Sequence, residues 1–464
     1  MEENELEITH SKANMISYGF GDFINQFLAM AFGVYSYFYY ETEIGLDSLL
    51  CGLAFILYAV WNAVNDPLIG YLVDKPFRFT RKWGRRFPWI IIGGIPWIIS
   101  YVLIFTPPKV DPQTGAWILF GWLLVTICLF DTFASICLVN YYSLFPDKFR
   151  SVEERRTLTG LNIPIGVLGV LLGAIIPPIF ITFGNLQSYI IQAGAVFIVC
   201  LIALVLAIPG CREDQITVDR YLTIYEEETE TGSFFKEFKA SMGQKAFVAY
   251  ILFYFCYQVM IKSMTASISY AVRFILKMDA IAISLIMGAY LIGVILGLPF
   301  WIKLAHKTND NRKVMLISGI LMTVSISPLI FIRDYILIII TLFVWGLTQG
   351  GFWAMLNPVF ADVIDESVVK TEKREEGLYN GFQTFFARLA FAAQAMSFAV
   401  IHTLTGFQEG ATTQSETAIW GIHMHLALIP MIFMIVGLII FKKLYDLTPN
   451  KVNENQLKIR QLKL

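Results

Sequence analysis

The chain has 464 residues, of which 56% are hydrophobic and only 15% are charged, and its mean hydropathy is +0.61. Because ordinary soluble domains carry about 25% charged residues, this composition excludes a soluble globular protein. The formal net charge of -1 offers no electrostatic footprint for nucleic acid. Aromatic residues make up 15% of the chain, which is typical of proteins whose Trp and Tyr side chains line a membrane interface.

Six cysteines are scattered along the chain without a CxxC pair. Most lie in apolar runs, so we expect small core side chains and no disulfide, structural metal or cofactor. The first residues, MEENELEITHSK, are polar and acidic, and the first apolar run is too long for the h-region of a signal peptide. No cleavable leader is therefore predicted.

Twelve continuous apolar runs, called spans 1 to 12, are each long enough to cross a bilayer as a helix of about 20 residues. Their continuity excludes barrel strands, which alternate apolar and polar residues. We predict an all-α membrane protein whose spans cover residues 14–40, 47–73, 87–106, 116–145, 157–183, 187–209, 246–275, 280–304, 313–332, 335–361, 376–405 and 417–445.

Basic residues crowd one set of loops. Lys and Arg follow spans 2, 4, 6, 8 and 10 and recur in the tail at Lys442 and Lys443, whereas the loops after spans 1 and 5 are acidic or neutral. The positive-inside rule then predicts that both termini are cytoplasmic, and we expect a multi-pass protein of the plasma membrane.

An acid-rich segment divides the spans six and six. It predicts six-helix bundles at 1–209 and 246–445, a cytoplasmic linker at 210–245 and a cytoplasmic tail at 446–464. The end of this segment, FFKEFKASMGQKAF, suits a solvated linker or an amphipathic helix on the inner surface. The stretches after spans 4 and 10 also echo each other, and a parallel repeat of six-helix units is typical of the major facilitator architecture, whose site lies between the halves.

Span 2 contains a carboxylate, Asp66, with Asn62 and Asn65 before it and Pro67 after it. Acids within membrane helices are costly and mark functional sites by default. Pro67 leaves the carbonyl of Ala63 without a hydrogen-bond donor, so carboxylate, amide and carbonyl oxygens form a pocket suited to a small hard cation or a proton. Alternatively, the helix is simply kinked and a neighbouring helix neutralises Asp66.

Further polar side chains stand near mid-depth, acids in the first half and bases in the second. We predict contact with a solute for Asp22, Asp131, Tyr142, Lys262, Trp353, Gln383, Thr384 and Arg388. For Asp131, as for Asp66, a coupling role is favoured. Asp22 and Arg388 equally suit a structural interhelix pair, and Lys262 suits snorkelling or pairing as well as solute binding.

Span 10 carries a polar and aromatic stripe at four-residue spacing, formed by Trp345, Gln349, Trp353 and Asn357. Such a stripe suits interhelix packing, and a Trp that faces a polar cavity also suits the stacking of a sugar ring. His402 on span 11 is expected to be an ordinary helix histidine with its hydrogen bonds satisfied.

Several motifs together resemble the glycoside–pentoside–hexuronide:cation symporters, the major facilitator branch that includes the melibiose permease and, more distantly, sodium-coupled lysolipid carriers. They are YGFGD (18–22), NDPLIGYLVD (65–74), WGRRFPWI (83–90), SLFPD (143–147) and FADVIDESVVKTEKREEGLYNGFQTFFARLA (360–390). The resemblance covers nearly the whole chain. It implies twelve helices in two six-helix bundles, alternating access and a cation site between spans 2 and 4.

The resemblance also implies roles for particular residues. Cation binding falls on Asp66, Asn62, Asn65 and Ser135, although Asn62 stands where the family has a first acid. Gln383, Thr384 and Arg388 match the span-11 pattern Q-T-x-x-x-K, and Tyr142 replaces a stacking tryptophan.

Other family features are missing. A sugar-binding acid is replaced by Leu138, and no base stands near residues 162–164. These departures argue against melibiose-like disaccharides and leave another glycoside, a pentoside, a hexuronate or an amphiphile open. With one carboxylate fewer, sodium should be held less tightly, so a proton is favoured slightly over sodium as the coupling ion.

We therefore expect a symporter, coupled to H+ or Na+, for a sugar or glycoside-like solute, with a lysolipid carrier of the same fold as the alternative. A latch between the halves is predicted from Asp74, Arg85, Arg86, Asp362 and Asp365. No GxSxG, Ser/Lys dyad or HExxH occurs in a span, so an enzyme is not expected. The expected partners are the solute and the bilayer, with no obligate protein partner.

Overall fold

The computed structural model describes residues 10–73, 80–215, 217–218, 243–371 and 376–462, and at some helical positions it describes the backbone alone. This part of the chain is helical and contains no strand, which confirms the predicted all-α class. The chain divides into two compact units, Met1–Glu230 and Thr231–Leu464. Most of the predicted linker at 210–245 lies outside the described residues.

The described part of each unit contains six long helices. Those of the first unit are α1 (Lys12–Phe38), α2 (Ser48–Val73), α3 (Phe87–Ile104), α4 (Ala116–Lys148), α5 (Val152–Phe180) and α6 (Leu186–Cys211). Those of the second are α7 (Lys245–Tyr270), α8 (Ile281–Thr308), α9 (Asn311–Ile326), α10 (Tyr335–Thr371), α11 (Glu376–Thr405) and α12 (Glu416–Leu444), and a tail helix α13 (Pro449–Leu462) follows them. A short helical turn, Thr80–Trp83, precedes α3.

Eleven of the described helices are long and apolar enough to cross a membrane. The remaining predicted span is α1, which at 27 residues is long enough. Its lower hydropathy reflects Asp22, Asn25 and Gln26 near its middle. Several helices also run beyond the predicted spans: α4 continues to Lys148 and α10 to Thr371. Hydropathy marks where lipid ends, whereas a helix ends only where capping or a turn stops it.

Side-chain caps explain several helix starts. The hydroxyl oxygens of Ser11, Ser151 and Ser415 accept hydrogen bonds from the backbone N–H three residues later, at 3.1–3.2 Å. Asp310 caps α9 in the same way at 2.9 Å. A cap satisfies one of the free N–H groups of the first turn and is worth about 1 kcal/mol. The helix starts are therefore encoded locally.

Helix packing follows one scheme in both units. In the first, α1 packs on α5 and α6, α4 packs on α2 and α3, and α3 packs on α6. The second unit repeats each of these pairs with the helix number raised by six: α7 with α11 and α12, α10 with α8 and α9, and α9 with α12. This is the three-dimensional form of a parallel six-helix repeat. In each unit, the end at which the first helix begins is called the terminal end.

Glycines let two helix pairs approach backbone to backbone. In the α8–α10 pair, a Cβ placed on Gly350 would lie 2.8 Å from the carbonyl oxygen of Val294, and one on Gly346 would overlap that of Tyr290. In the α1–α5 pair, a Cβ on Gly169 would lie 2.5 Å from the carbonyl oxygen of Phe23. Small residues at such spacing are a general means of close helix packing in membranes.

The tail helix α13 is fastened to the terminal end of α10. Lys451 Nζ lies 2.9 Å from Glu366 Oε1 and 2.9 Å from Asp446 Oδ2. The other carboxylate oxygen of Glu366 accepts a hydrogen bond from Gln244 Nε2 at 2.8 Å, and Tyr379 OH lies 3.0 Å from Gln244 Oε1. One carboxylate thus connects the tail with α10 and the start of α7, and through Gln244 with α11.

We expect Lys451→Met to loosen α13. The Glu366 side chain is only 5% exposed and that of Lys451 35% exposed, so the ion pair is partly screened and worth about 1 kcal/mol. Protease cleavage within 449–462 should then become about fivefold faster. Lys458→Met is the matched control, because Lys458 is exposed on the same helix. Equal cleavage rates for the two variants would contradict this role of Lys451.

The fastening should persist around neutral pH. Burial is the largest single influence and opposes the charges of Lys451 and Asp446, but the hydrogen bonds and opposite charges around them together outweigh it. The pKa of Lys451 is therefore raised and that of Asp446 is lowered. The Asp446 contribution is therefore lost as pH falls through its folded-state pKa, and the Lys451 contribution is lost as pH rises through its own. The same cleavage assay, repeated from pH 3 to pH 8, should show α13 loosening at the acid end.

Candidate functional site

Four buried polar side chains meet between α2 and α4, and we call them the α2–α4 cluster. Asn62 Nδ2 donates a hydrogen bond to Asp131 Oδ1, and Asn65 Nδ2 donates to Asp131 Oδ2 at 3.1 Å. Asn65 Nδ2 also lies 3.3 Å from Ser135 Oγ. The exposed fractions of the four residues are between 3% and 5%. A carboxylate is therefore held inside the first unit by two amide groups, one of which also contacts a hydroxyl group.

Helical spacing places these groups together. Asn62 and Asn65 are three residues apart and Asp131 and Ser135 four apart, so each pair shares one face of its helix. Because α2 packs on α4, the two faces meet. Trp61 Nε1 adds a hydrogen bond to Thr132 Oγ1 at 3.0 Å next to the cluster. The resemblance implied that spans 2 and 4 are neighbours, and the structure shows which residues of the two helices are in contact.

Each of the four side chains of the cluster carries at least one oxygen atom, and the amide nitrogens of Asn62 and Asn65 face Asp131. Carboxylate, amide and hydroxyl oxygens are ligands for hard cations, and the described residues contain no group of three or more His, Cys, Asp or Glu that could hold a metal ion. Asp66 lies on the same helix as the two asparagines, but its side chain lies outside what the structure describes. The role predicted for Asp66 therefore stays a prediction.

Asp22 belongs to a second group, between α1 and α4. Tyr142 OH donates to Asp22 Oδ1 at 3.1 Å and accepts from Asn25 Nδ2 at 2.9 Å. Tyr142 is 48% exposed, so the Asp22–Tyr142 pair lies at an accessible surface of the first unit. Two of the predicted solute contacts are thus neighbours, while Asp131, predicted with them, lies in the α2–α4 cluster.

Amide, indole and tyrosine side chains form buried or partly buried hydrogen-bonded groups in the second unit. Gln383 Nε2 donates to Tyr250 OH at 2.5 Å. On α10, Gln349 Nε2 and Trp353 Nε1 both donate to Tyr257 OH, at 3.1 and 2.7 Å. The tyrosines escaped the sequence analysis, although Tyr250, Tyr254 and Tyr257 recur at helical spacing on α7.

The remaining predicted contacts of the second unit lie on α7 and α11. Lys262 Nζ lies 3.5 Å from the centroid of the Phe391 ring, and Arg388 is close enough to repel it electrostatically. Thr384 is exposed and bonds back to the carbonyl of Asn380 at 2.9 Å. Of the stripe on α10, Trp345 and Gln349 are fully buried, whereas Asn357 is exposed.

Arg86, a predicted latch residue, pairs within its own unit. Its Nε lies 3.5 Å from Asp147 Oδ2 at the end of α4. The backbone N–H groups of Arg86 and Phe87 donate to Glu213 Oε2 at 2.7 and 3.0 Å. Burial raises the pKa of Glu213, although these donors and the Arg86 charge oppose the rise. Glu213 and Asp147 were not singled out in the sequence.

The acids of the predicted latch lie at the terminal end of the second unit. Asp362 Oδ2 lies 3.4 Å from Asn311 Nδ2, and Asp365 is one helical turn further along α10. Asp74 lies outside the described residues. The latch between the halves stays a prediction.

Two repeated six-helix units with polar clusters between apolar helices define a membrane transporter of the major facilitator type. The chain belongs to the MFS/sugar transport protein family, whose model matches residues 17–448. The predicted membership of a symporter family with this fold is confirmed.

Several curated relatives align along most of the chain. A sodium-dependent lysophosphatidylcholine symporter 1 of Xenopus tropicalis is 24% identical over 442 residues, which cover 86% of this chain and 80% of the relative. The protein of the same name from Gallus gallus is 22% identical, covering 98% and 90%. The uncharacterized symporter YnaJ of Bacillus subtilis (strain 168) is 23% identical, covering 95% and 92%. All three names describe symporters, in agreement with the predicted transporter.

Proposed function

We propose that the protein is a sodium-coupled symporter that moves a small glycoside-like solute by alternating access. Its place is the cell membrane, with both termini cytoplasmic. The observation that carries the proposal is the α2–α4 cluster, in which a buried carboxylate is gathered with three neutral oxygen-bearing side chains. An isolated charge in that position is costly, and a bound cation offsets the cost.

The position of Asp131 affects which coupling ion is favoured. With Asn62 in place of an acid, span 2 alone supplies one carboxylate, and the sequence favoured a proton. Asp131 contributes a second carboxylate from α4, directly against Asn62 and Asn65. Carboxylates from both helices, with amide and hydroxyl ligands, suit a sodium ion better than one carboxylate alone. The relatives named above as sodium-dependent support the same choice.

The solute class is proposed from the second unit. Gln383 and Trp353 are only partly buried and are positioned by the buried hydroxyls of Tyr250 and Tyr257. An amide and an indole ring are a combination suited to a hydroxyl-rich ring. A lysophospholipid is the second candidate, because two relatives carry lysophosphatidylcholine in their names. In either case the binding of ion and solute is coupled by a reciprocal free energy of about 1–3 kcal/mol.

The direct test is solute-driven ion flux in vesicles that contain the purified protein. A panel of glycosides, pentoses, hexuronates and lysophospholipids is added outside, and sodium and proton entry are recorded separately. We expect sodium entry with one solute class and its loss in Asp66→Asn. Proton entry without sodium entry would overturn the choice of ion. If the Asp66→Asn variant accumulates the solute as well as the wild type does, Asp66 has no role in the mechanism.

A further inference from the structure

Lys262 is a cation placed in the interior of a membrane bundle. It stands 17 residues after the first residue of α7, or about 25 Å along the helix at 1.5 Å per residue. Its side chain is partly buried, and its ammonium group lies over the face of Phe391 at 3.5 Å from the ring centroid. The side chain is therefore held between α7 and α11 by an aromatic ring of α11.

The charges around Lys262 do not balance it. Arg388, one turn before Phe391 on α11, repels the ammonium group. Within the described part of the second unit, no carboxylate forms an ion pair with Lys262. The acids described there lie in loops, at helix ends, in the last ten residues of α10 or on α13, namely Asp279, Asp310, Asp334, Asp362, Asp365, Glu366, Glu409, Glu416, Asp446 and Glu454.

A ring face attracts a cation but carries no net charge. The contact with Phe391 therefore offsets part of the desolvation of Lys262 and does not neutralise the charge of its ammonium group. Buried cations in membrane helices are usually paired with an anion or face a path taken by one. Lys262 has no anionic partner among the described residues of its own unit.

We propose that Lys262 is the anchor for an anionic group, a carboxylate or a phosphate, carried by the transported solute. This inference rests on the proposed function and narrows its solute class to acidic compounds. The ring of Phe391 holds the ammonium group in place, and Gln258, one turn earlier on α7, bonds to Tyr254 at 2.5 Å. That pair gives the site a neutral side for hydroxyl groups next to its positive side.

The test uses ligand pairs that differ in the anionic group. One pair is 4-nitrophenyl β-glucuronide and 4-nitrophenyl β-glucoside, and the other is palmitoyl lysophosphatidylglycerol and monopalmitoylglycerol. Binding to the purified full-length protein is measured by calorimetry with sodium present. We expect the wild type to prefer the acidic member of one pair, which identifies the source of the anion. Lys262→Met should raise the dissociation constant of that member about 30-fold and that of its neutral analogue less than twofold.

Lys262→Arg should keep most of the preference, because the charge is retained, and Lys245→Gln at the start of the same helix should change nothing. Equal affinity of the wild type for both members of both pairs overturns the proposal, as does an equal loss for acidic and neutral members in Lys262→Met. The wild-type comparison decides even if Lys262→Met fails to fold.

The same preparation separates this inference from the proposed function. Sodium-driven uptake of the acidic member of a pair that is unaffected in Lys262→Met overturns the anion anchor and leaves symport standing. Lys262-dependent binding of an acidic ligand, with no sodium-driven uptake of any ligand, supports the anchor and overturns symport.

Discussion

Asp131→Asn should abolish sodium-driven accumulation of the solute. The substitution removes the negative charge of the α2–α4 cluster while keeping the size of the side chain. Removal of one partner of a buried charge pair costs about 3 kcal/mol or more, so sodium affinity should fall about 100-fold. The measurement is the sodium dependence of solute uptake into vesicles. Ser135→Ala, which removes one neutral ligand, should cause a smaller loss, of about tenfold.

Asp111→Asn is the matched control, because Asp111 is exposed in the loop before α4 and bonds to the N–H groups of Gln113 and Thr114. It makes the same chemical change outside the bundle and should leave transport intact. Asp131→Asn should remain folded, since only one acceptor for the amides of Asn62 and Asn65 is lost, at about 1 kcal/mol. A folded Asp131→Asn variant with normal sodium dependence would remove this carboxylate from the cation site.

Gly346→Ala should destabilise the second unit strongly. The added methyl group would overlap the carbonyl oxygen of Tyr290 on α8, and a backbone atom cannot move aside as a flexible side chain can. Forced separation of packed helices costs about 3 kcal/mol, the upper part of the range for overpacked cores. The measurement is thermal unfolding in detergent, followed by tryptophan fluorescence.

Two glycines that face open space provide the control for this substitution. A Cβ on Gly121 or Gly194 would meet nothing within 4 Å, so alanine there should leave stability unchanged or raise it by up to about 1 kcal/mol through its better helix propensity. The same substitution therefore has opposite expected signs at different positions. A Gly346→Ala protein as stable as Gly194→Ala would show that α8 and α10 are packed less closely than described.

The sequence predicts the helices well because a membrane imposes one simple requirement, about 20 apolar residues for each crossing. It predicts their ends less well, as α10 shows by continuing ten residues beyond the apolar run into a charged segment. Asn62 and Asn65 could be found from spacing and motif. Their contact with Asp131 could not, because the relative depth of two helices depends on packing.

Other parts of the site had no usable signal. The hydrogen bonds of Tyr257 with Gln349 and Trp353 join α7 to α10. The sequence of an aromatic-rich helix does not indicate which side chain a tyrosine hydroxyl will contact. The attachment of Glu213 to the backbone at Arg86 and Phe87 was hidden for a similar reason, since backbone donors are the same in every sequence. Spacing finds faces of single helices, and only the fold shows which faces meet.

The common packing scheme of the two units bears on how the protein could have arisen and on how it can be taken apart. If duplication of one ancestral six-helix unit produced both units, each unit should still be able to fold by itself. A gene cut within codons 219–242 and expressed as two polypeptides should then yield two inserted fragments that recover uptake when they are made together.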